Sequence, residues 1–474
     1  MGRAVVADAL READPAGAAA AERDTNWRKG YVVHFRRLVE AGLASKQDAV
    51  SVARNGLESL HRRMRVVHAD GEETALSSLL SAPADRLVST VTVSGTGQAG
   101  EGLSLPYHGD GLRGDALLRR LDAWVDEGVI EPSCAAAVQT VAAHPEWLHL
   151  PGRTVVVLGA GAEVGPLSPL LSWGARVIAV DLGRPAIWER VLDTARHSAG
   201  TLLVPVTAQA PGQPGGRTED LAERAGLDLT SDVAAVAGWL ATFDGPLVLG
   251  NYVYADGAAN VRLSAAVDAL TMRVQAERGD VALAFLATPT DVFAVPAEAV
   301  AQSVQAYATR PAGMKLASWP LRTLSGGRLL HRAYPPGADP GINDSLVRQQ
   351  GPNYVLAKRL QRWRATLARE AGTAVSMNVA PPTRTRSVVK NQILAAAYAG
   401  AHRFGVEVFE PATTKVLMAA LLVHDLHAGG SPAHPQPWQD EAHAAAHGGL
   451  WRIAYTPRSA LALAAALGYR GARK

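Results

Sequence analysis

The residues best placed to do chemistry are Tyr354 and Lys358, four apart in Asn353-Tyr354-Val355-Leu356-Ala357-Lys358-Arg359-Leu360-Gln361-Arg362-Trp363. If that stretch is one helix, they share a face. An ammonium beside a phenol favours the phenolate and lowers its pKa, which makes the tyrosine a general acid/base near neutral pH. A second chemical stretch lies upstream, Thr154 to Asp181 (TVVVLGAGAEVGPLSPLLSWGARVIAVD). An apolar β-branched run leads into a turn with Gly159, Gly161 and Gly165. An apolar helix-length segment, Leu167 to Trp173, and a second apolar run ending on Asp181 follow. Strand, glycine turn, helix, strand and terminal acid form a βαβ nucleotide site: the glycines let backbone approach a pyrophosphate, and Asp181 can bind ribose hydroxyls. An acid there repels a 2′-phosphate, so NAD is favoured over NADP.

Weaker candidates surround these two. Tyr252, Tyr254 and Asp256 follow a strand-like run and face the cofactor side of a parallel sheet. Arg384 and Arg386 are able to grip an acidic substrate. His443 and His447 stand one helical turn apart in a His-rich C-terminal region (His424, His427, His434, Asp440, Glu441), but the H-E-x-x-H pattern is absent. That region reads as a solvated or interfacial helix, and no metal site is assigned.

The elements that must position these residues alternate. After Asp181 come a helix over 186–199, a strand over 201–206, a Pro/Gly insertion at about 207–226, and a helix over 232–241. A strand over 246–249, a helix over 261–276 and a strand over 281–286 complete the series. Alternation of this kind predicts an α/β fold, a Rossmann-like doubly wound parallel sheet with ligands at the carboxyl ends of its strands. Those ends are Gly159 to Gly165, Asp181, Asp228, Asn251 to Asp256, and Thr288 to Thr290. From about 293 to 350 the alternation stops in a Pro- and Gly-bearing insertion that can form one wall of a pocket. The Tyr354 helix and a sixth strand, Ala374 to Val379, follow it, and an apolar helix over 459–468 closes the chain. Residues 26–150 predict a mostly helical accessory domain with a β-like run at Ser89 to Gly95. Residues 1–25 read as a flexible tail or weak helix.

From about 151 to 425 the chain resembles the short-chain dehydrogenases/reductases. Leu158 to Gly165 looks like that family's glycine turn, with Leu158 and Glu163 departing from its usual threonine and middle glycine. Asp228-Leu229-Thr230 looks like the turn that touches adenine. Gly250-Asn251-Tyr252 to Gly257 occupies the place of an N-N-A-G segment, and Tyr354-x-x-x-Lys358 matches the catalytic pair. The resemblance implies a hydride transfer between nicotinamide and a carbonyl or alcohol, with NAD or NADP as cofactor. Tyr354 would pass the proton, and Lys358 would bind the nicotinamide ribose. Thr288 or Thr290 would stand for the family's serine, with Ser318 or Ser325 as alternatives. Gly159, Gly161, Glu163, Val164, Gly165, Asp181, Asp228, Leu229, Asn251 and Tyr252 would hold the dinucleotide, and Pro381, Thr383 and Thr385 would close over the nicotinamide. Two other readings stay open: a SAM-dependent methyltransferase, which shares the first glycine turn and Asp181, and a nucleotide-binding scaffold without catalysis.

Composition bounds the rest. The chain has 474 residues, 48% hydrophobic, with 47 Lys and Arg against 44 Asp and Glu. It has no dense basic block, so nucleic acid is not implied. The single Cys134 excludes an intrachain disulfide and a cysteine zinc cluster. No stretch approaches the roughly 20 apolar residues of a membrane span, and no signal peptide is evident. The expectation is a cytoplasmic homo-oligomer acting on a small molecule, with no membrane partner.

Overall fold

The structure is a computed structural model that describes residues 1–469 except 69, 85, 208–220, 327 and 431–432. Its frame is a seven-stranded sheet. In chain order the strands are β1 (Val88–Ser94), β2 (Thr154–Leu158), β3 (Arg176–Val180), β4 (Thr201–Thr207), β5 (Leu247–Asn251), β6 (Val281–Ala287) and β7 (Val375–Val379). Their spatial order is β7-β6-β5-β2-β3-β4-β1. β2 to β7 run parallel, and β1 pairs antiparallel with β4 at the edge. Every residue of β2, β5 and β7 is buried, as expected of parallel strands covered on both faces. The two faces divide β2 by alternation: Val155 and Val157 enter one apolar cluster, Val156 and Leu158 another.

The parallel strands follow the order 3-2-1-4-5-6, and the direction of winding reverses between β2 and β5. Leu158 pairs with Asn251 at that switch point, so the glycine turn and the end of β5 leave the sheet side by side. In an open sheet of this kind the crevice at the switch point is where ligands bind. Helices Leu167–Ser172, Pro132–Ala143 and Pro411–His427 cover one face, with Leu170, Val138 and Leu421 in its core. Helices Ala258–Glu277 and Gly351–Glu370 cover the other.

Two expectations change here. Residues 1–25, read as a tail, form helices Gly2–Leu10 and Pro15–Arg23. Val5, Val6 and Leu10 are fully buried against helices Trp27–Ala41 and Lys46–Arg63 and against Leu356, Leu360 and Trp363 of the Gly351–Glu370 helix. Gly56 lets the Trp363 ring lie directly on the Lys46–Arg63 helix, because a Cβ there would overlap the ring. The Ser89 to Gly95 run joins the central sheet as β1 instead of staying in an accessory unit. The insertion before Tyr354 is also more regular than its composition suggests. Val292–Val295 and Gly341–Asp344 form an antiparallel ribbon around helices Ala297–Ala308 and Ala312–Leu324. Most of the 207–226 insertion lies outside the described residues.

Candidate active site

Tyr354 sits in the first turn of the Gly351–Glu370 helix, facing the carboxyl end of β6. Its hydroxyl donates to Thr288 Oγ1 at 3.0 Å, and the Thr288 and Thr290 hydroxyls lie 3.0 Å apart. The chain between Thr288 and Tyr354, 66 positions apart, therefore loops out and returns. Ser318 and Ser325 are not brought there: each donates to a carbonyl of its own helix, Lys315 and Arg322 respectively.

Lys358 does not act on Tyr354 as its spacing suggests. Its Nζ donates to Gln361 Oε1 at 3.3 Å, and Gln361 Nε2 donates to Asn251 Oδ1 at 3.3 Å. The lysine thus points along the helix to the end of β5, while the phenol points to the end of β6. Burial pushes the Tyr354 phenol upward, partly offset by hydrogen bonding with Thr288, Thr290 and Gln350. Burial also brings the Lys358 ammonium down to about 8. The expectation of a tyrosine pKa lowered by the lysine is overturned. Desolvation dominates both groups, and they titrate apart.

What fixes the helix at this distance is a buried ion cluster with no role in the sequence reading. Asp291, three residues after Thr288, is 1% exposed. Its carboxylate accepts from Arg359 Nη2 at 2.7 Å and from Arg362 Nη1 at 2.7 Å. Arg362 also grips both oxygens of Glu441 and lies 4.2 Å over the Phe293 ring. Arg359 and Arg362 are three apart, so one helix face meets one carboxylate. The two cations hold the Asp291 carboxyl below its usual range against burial. The signal was present in the sequence as an Arg pair one turn beyond Tyr354. On the far side of the same helix Arg364 makes a two-pronged contact with Asp268, which also binds His61 at 2.7 Å.

The glycine turn is folded as its sequence suggests. Gly159 has φ +86°, and a Cβ there would press on the Tyr252 backbone. Asp181 Oδ2 accepts from the Gly161 N–H at 2.8 Å and Oδ1 from the Leu182 N–H at 2.8 Å. The Asp181 carbonyl takes the Leu227 N–H, which draws Asp228 and Leu229 to the same corner. There Asp228 accepts from the N–H and hydroxyl of Thr230, and Leu229 is buried. Gly165 leads through Pro166 into the short helix Leu167–Ser172. Val164 and Tyr252 line a void of about 10 Å³ beneath the turn, room for one water. Burial pushes the Tyr252 phenol far upward.

The segment after β7 reaches across to this turn. Glu163 Oε2 accepts from the Arg386 N–H at 2.9 Å, and the Arg386 guanidinium approaches it at 3.4 Å. The Thr383 hydroxyl turns inward to the Pro381 carbonyl and Thr414, and Thr385 meets Ser387. The candidate residues therefore fall into two groups at the carboxyl ends of the strands. One is the glycine turn with Asp181, Asp228 and 381–386; the other is Tyr354, Lys358, Thr288, Thr290 and Asn251. Asn251 lies between them in the sheet.

Thr290 has a second neighbour. It lines an apolar cavity of about 60 Å³ with Val347, Pro382, Tyr398, Phe404 and Leu461. The hydroxyl pair is thus bonded to Tyr354 on one side and open to an apolar pocket on the other. Ser345, Leu346 and Val347 bring the end of the 293–350 insertion into that pocket, as the sequence reading allowed.

The His-rich region differs from its reading. His447 is fully buried in a loop, bonded to Glu131 at 2.9 Å and stacked on Trp451, while Arg452 takes the other Glu131 oxygen. The helix there, Pro437–Ala442, ends before His443. His434 bonds Asp440 at 2.8 Å. Among the described residues no three His, Cys, Asp or Glu side chains converge as a metal site. Among them, too, no helix is long and apolar enough to cross a membrane. Comparison with protein-family models and with curated proteins found no match.

Proposed function

We propose that the protein is an NAD(P)-dependent oxidoreductase of the short-chain dehydrogenase/reductase type, acting on an apolar carbonyl or alcohol. The observation that carries this reading is the hydroxyl chain Tyr354–Thr288–Thr290 at the carboxyl end of β6, with Lys358 one turn on and directed through Gln361 to Asn251 at the switch point. The strand order supports it, since 3-2-1-4-5-6 is a dinucleotide-binding order.

The donor set fits a dinucleotide. Asp181 makes one bond through each oxygen, and a carboxylate has about four lone-pair sites, so it retains acceptors for vicinal ribose hydroxyls. Lys358 has three donors, of which Gln361 takes one; with Asn251 it would hold the second ribose. When bound, the nicotinamide supplies or accepts the hydride, the hard chemistry that a cofactor brings. The chain's own residues manage the oxygen. Thr290 donates a hydrogen bond to the substrate carbonyl and orients it. In reduction Tyr354 releases its proton to that oxygen, and the Thr288 hydroxyl donates to the phenolate left behind. In oxidation the same phenolate removes the alcohol proton. Burial keeps the phenol protonated and so loaded for reduction, and its hydrogen bonds with Thr288 and Thr290 bring it part-way toward the phenolate for the reverse step.

The test is calorimetric titration with NADH, NADPH and SAM, followed by turnover of a panel of apolar ketones and alcohols. Micromolar dinucleotide binding with Tyr354-dependent turnover supports the proposal, and a preference for NADH supports the role given to Asp181. SAM binding alone overturns it in favour of a methyltransferase. Dinucleotide binding without turnover of any panel member favours a scaffold.

A further inference from the structure

The pocket beside Thr290 lies under a C-terminal cap whose charge is lopsided. Residues 299–338, 380–406 and 442–469 contain eleven Lys and Arg and no Asp or Glu, and of these Arg386, Arg452 and Arg458 pair with Glu163, Glu131 and Asp344 outside those segments. The rest of the chain holds the other 36 bases and all 44 acids, so the cap is basic on an otherwise acidic body. Summed over the chain, the two nearly cancel, which hides the asymmetry from a net-charge count.

The cap also carries exposed apolar side chains where a water-facing surface should be polar. Helix Ala312–Leu324 leaves Leu316, Trp319 and Leu324 at 78%, 75% and 87% exposure. At about 100° per residue these three fall within an arc of about 140°, and Lys315 and Arg322 stand together on its flank. Both cations are exposed, as is Arg328 just beyond the helix. Leu321, on another side of the helix, packs against the cluster of Leu330, Tyr455 and Ala460, so the helix is seated by one residue line and presents another. Ile393 and Leu467, on the cap helices Gln392–Ala401 and Pro457–Gly468, are 56% and 48% exposed. Those two helices are locked back to back through Gly400 and Gly468, whose missing side chains let backbone meet backbone.

We infer that this cap docks on an anionic membrane surface, with helix Ala312–Leu324 lying in the interfacial plane. A helix with Trp and Leu on one side, Lys and Arg beside them and a length far short of a span suits that plane. The exposed cations Lys315, Arg322 and Arg328 beside that apolar line are drawn to the negative potential of anionic lipid. Charge alone would suit nucleic acid equally; the exposed Leu316, Trp319 and Leu324 decide for lipid, because a phosphate backbone offers them nothing. Continuity with the pocket adds a reason. Phe404, which packs against the same small apolar cluster as Leu321, also lines the cavity at Thr290. The docked face would therefore adjoin the apolar site, an inference that departs from the expectation of no membrane partner while needing no spanning helix.

The experiment is vesicle flotation of the full chain with phosphatidylcholine alone and with an equimolar mixture of phosphatidylcholine and phosphatidylserine. The anionic vesicles should bind at least ~10-fold more tightly, with the difference collapsing in high salt. Leu316→Ala with Trp319→Ala should reduce that binding ~10-fold or more while leaving the thermal melt unchanged, since both side chains already face water. Brominated lipid should quench the native protein more than a Trp319→Phe variant, which reports that ring and not the other nine tryptophans. Equal binding to both vesicles, no binding, insensitivity to the double variant, or capture of duplex DNA in place of vesicles would each overturn the inference. None of these results depends on dinucleotide binding or turnover.

Discussion

The two halves of the candidate crevice are held by different forces. The Tyr354 half rests on buried ions: Asp291 with Arg359 and Arg362, Arg362 with Glu441, and Asp268 with Arg364 and His61. The glycine-turn half rests on backbone hydrogen bonds to Asp181 and on one ion pair, Glu163 with Arg386, whose arginine side chain is 67% exposed. Buried pairs are expensive to break from one side, because the remaining charge is stranded. An exposed pair is worth little and exchanges readily with water or a ligand. The half that would do the chemistry is therefore rigid, and the half that would admit the nucleotide is closed by a contact that a ligand can replace. Precision where the proton moves and yield where a large molecule must enter are opposite needs, and the charges are distributed accordingly.

The strongest way to break the contrast is Asp291→Ala. It leaves Arg359 and Arg362 without their shared carboxylate in a fully buried site. A loss of about 3–5 kcal/mol is expected, read as a lower urea midpoint. A loss below about 1 kcal/mol would mean that water reaches the cluster and that the rigid half is not rigid. Tyr354→Phe removes one hydrogen bond and so should cost only about 1 kcal/mol of stability. Its turnover should fall by a factor of roughly 10² to 10⁴ with dinucleotide affinity retained. Equal loss of affinity and turnover would place the phenol in binding instead.

Much of this frame was legible because it is local. β2 to β7 begin and end within about two residues of the apolar runs that announce them, and the glycine turn and Asp181 are contiguous with their strands. Tyr354 and Lys358 were visible as a spacing, but where each points was not, because Thr288 and Gln361–Asn251 compete for them from elements far apart in the chain. The tail reading failed for a related reason. Val5, Val6 and Leu10 have no partners nearby in sequence; they bury against a helix some 350 residues later. The Asp291 cluster and the His447–Glu131 pair join residues 68 to 316 positions apart. Polar residues read as solvated turn or surface helix became core once opposite charges met there.

A pH series sharpens the rigid half. Burial draws Lys358 from its ordinary 10.5 to about 8, so the folded protein gives up this proton before the unfolded chain does. Between about pH 8 and about pH 10.5 the unfolded state binds more protons, and stability from this group rises with pH by about 3 kcal/mol. Lys358→Met, which cannot titrate, should lose that rise. Urea unfolding of both proteins on either side of the window isolates it, since the buried tyrosines contribute equally to each. Parallel curves would mean that the lysine is hydrated.

The smallest stability effect tests the other half most directly. Glu163→Gln removes an exposed pair, so stability should change by no more than about 1 kcal/mol. Dinucleotide affinity should rise severalfold. An acid is taken from the turn that would face a diphosphate, and the Arg386 guanidinium is released from Glu163. A double variant with Arg386→Gln separates the two contributions: if the gain survives it, repulsion by Glu163 was the cause, and if it vanishes, Arg386 is the donor. A fall in affinity with Glu163→Gln alone would mean that the carboxylate itself binds the ligand, and that the glycine-turn half is built for recognition and not for admission.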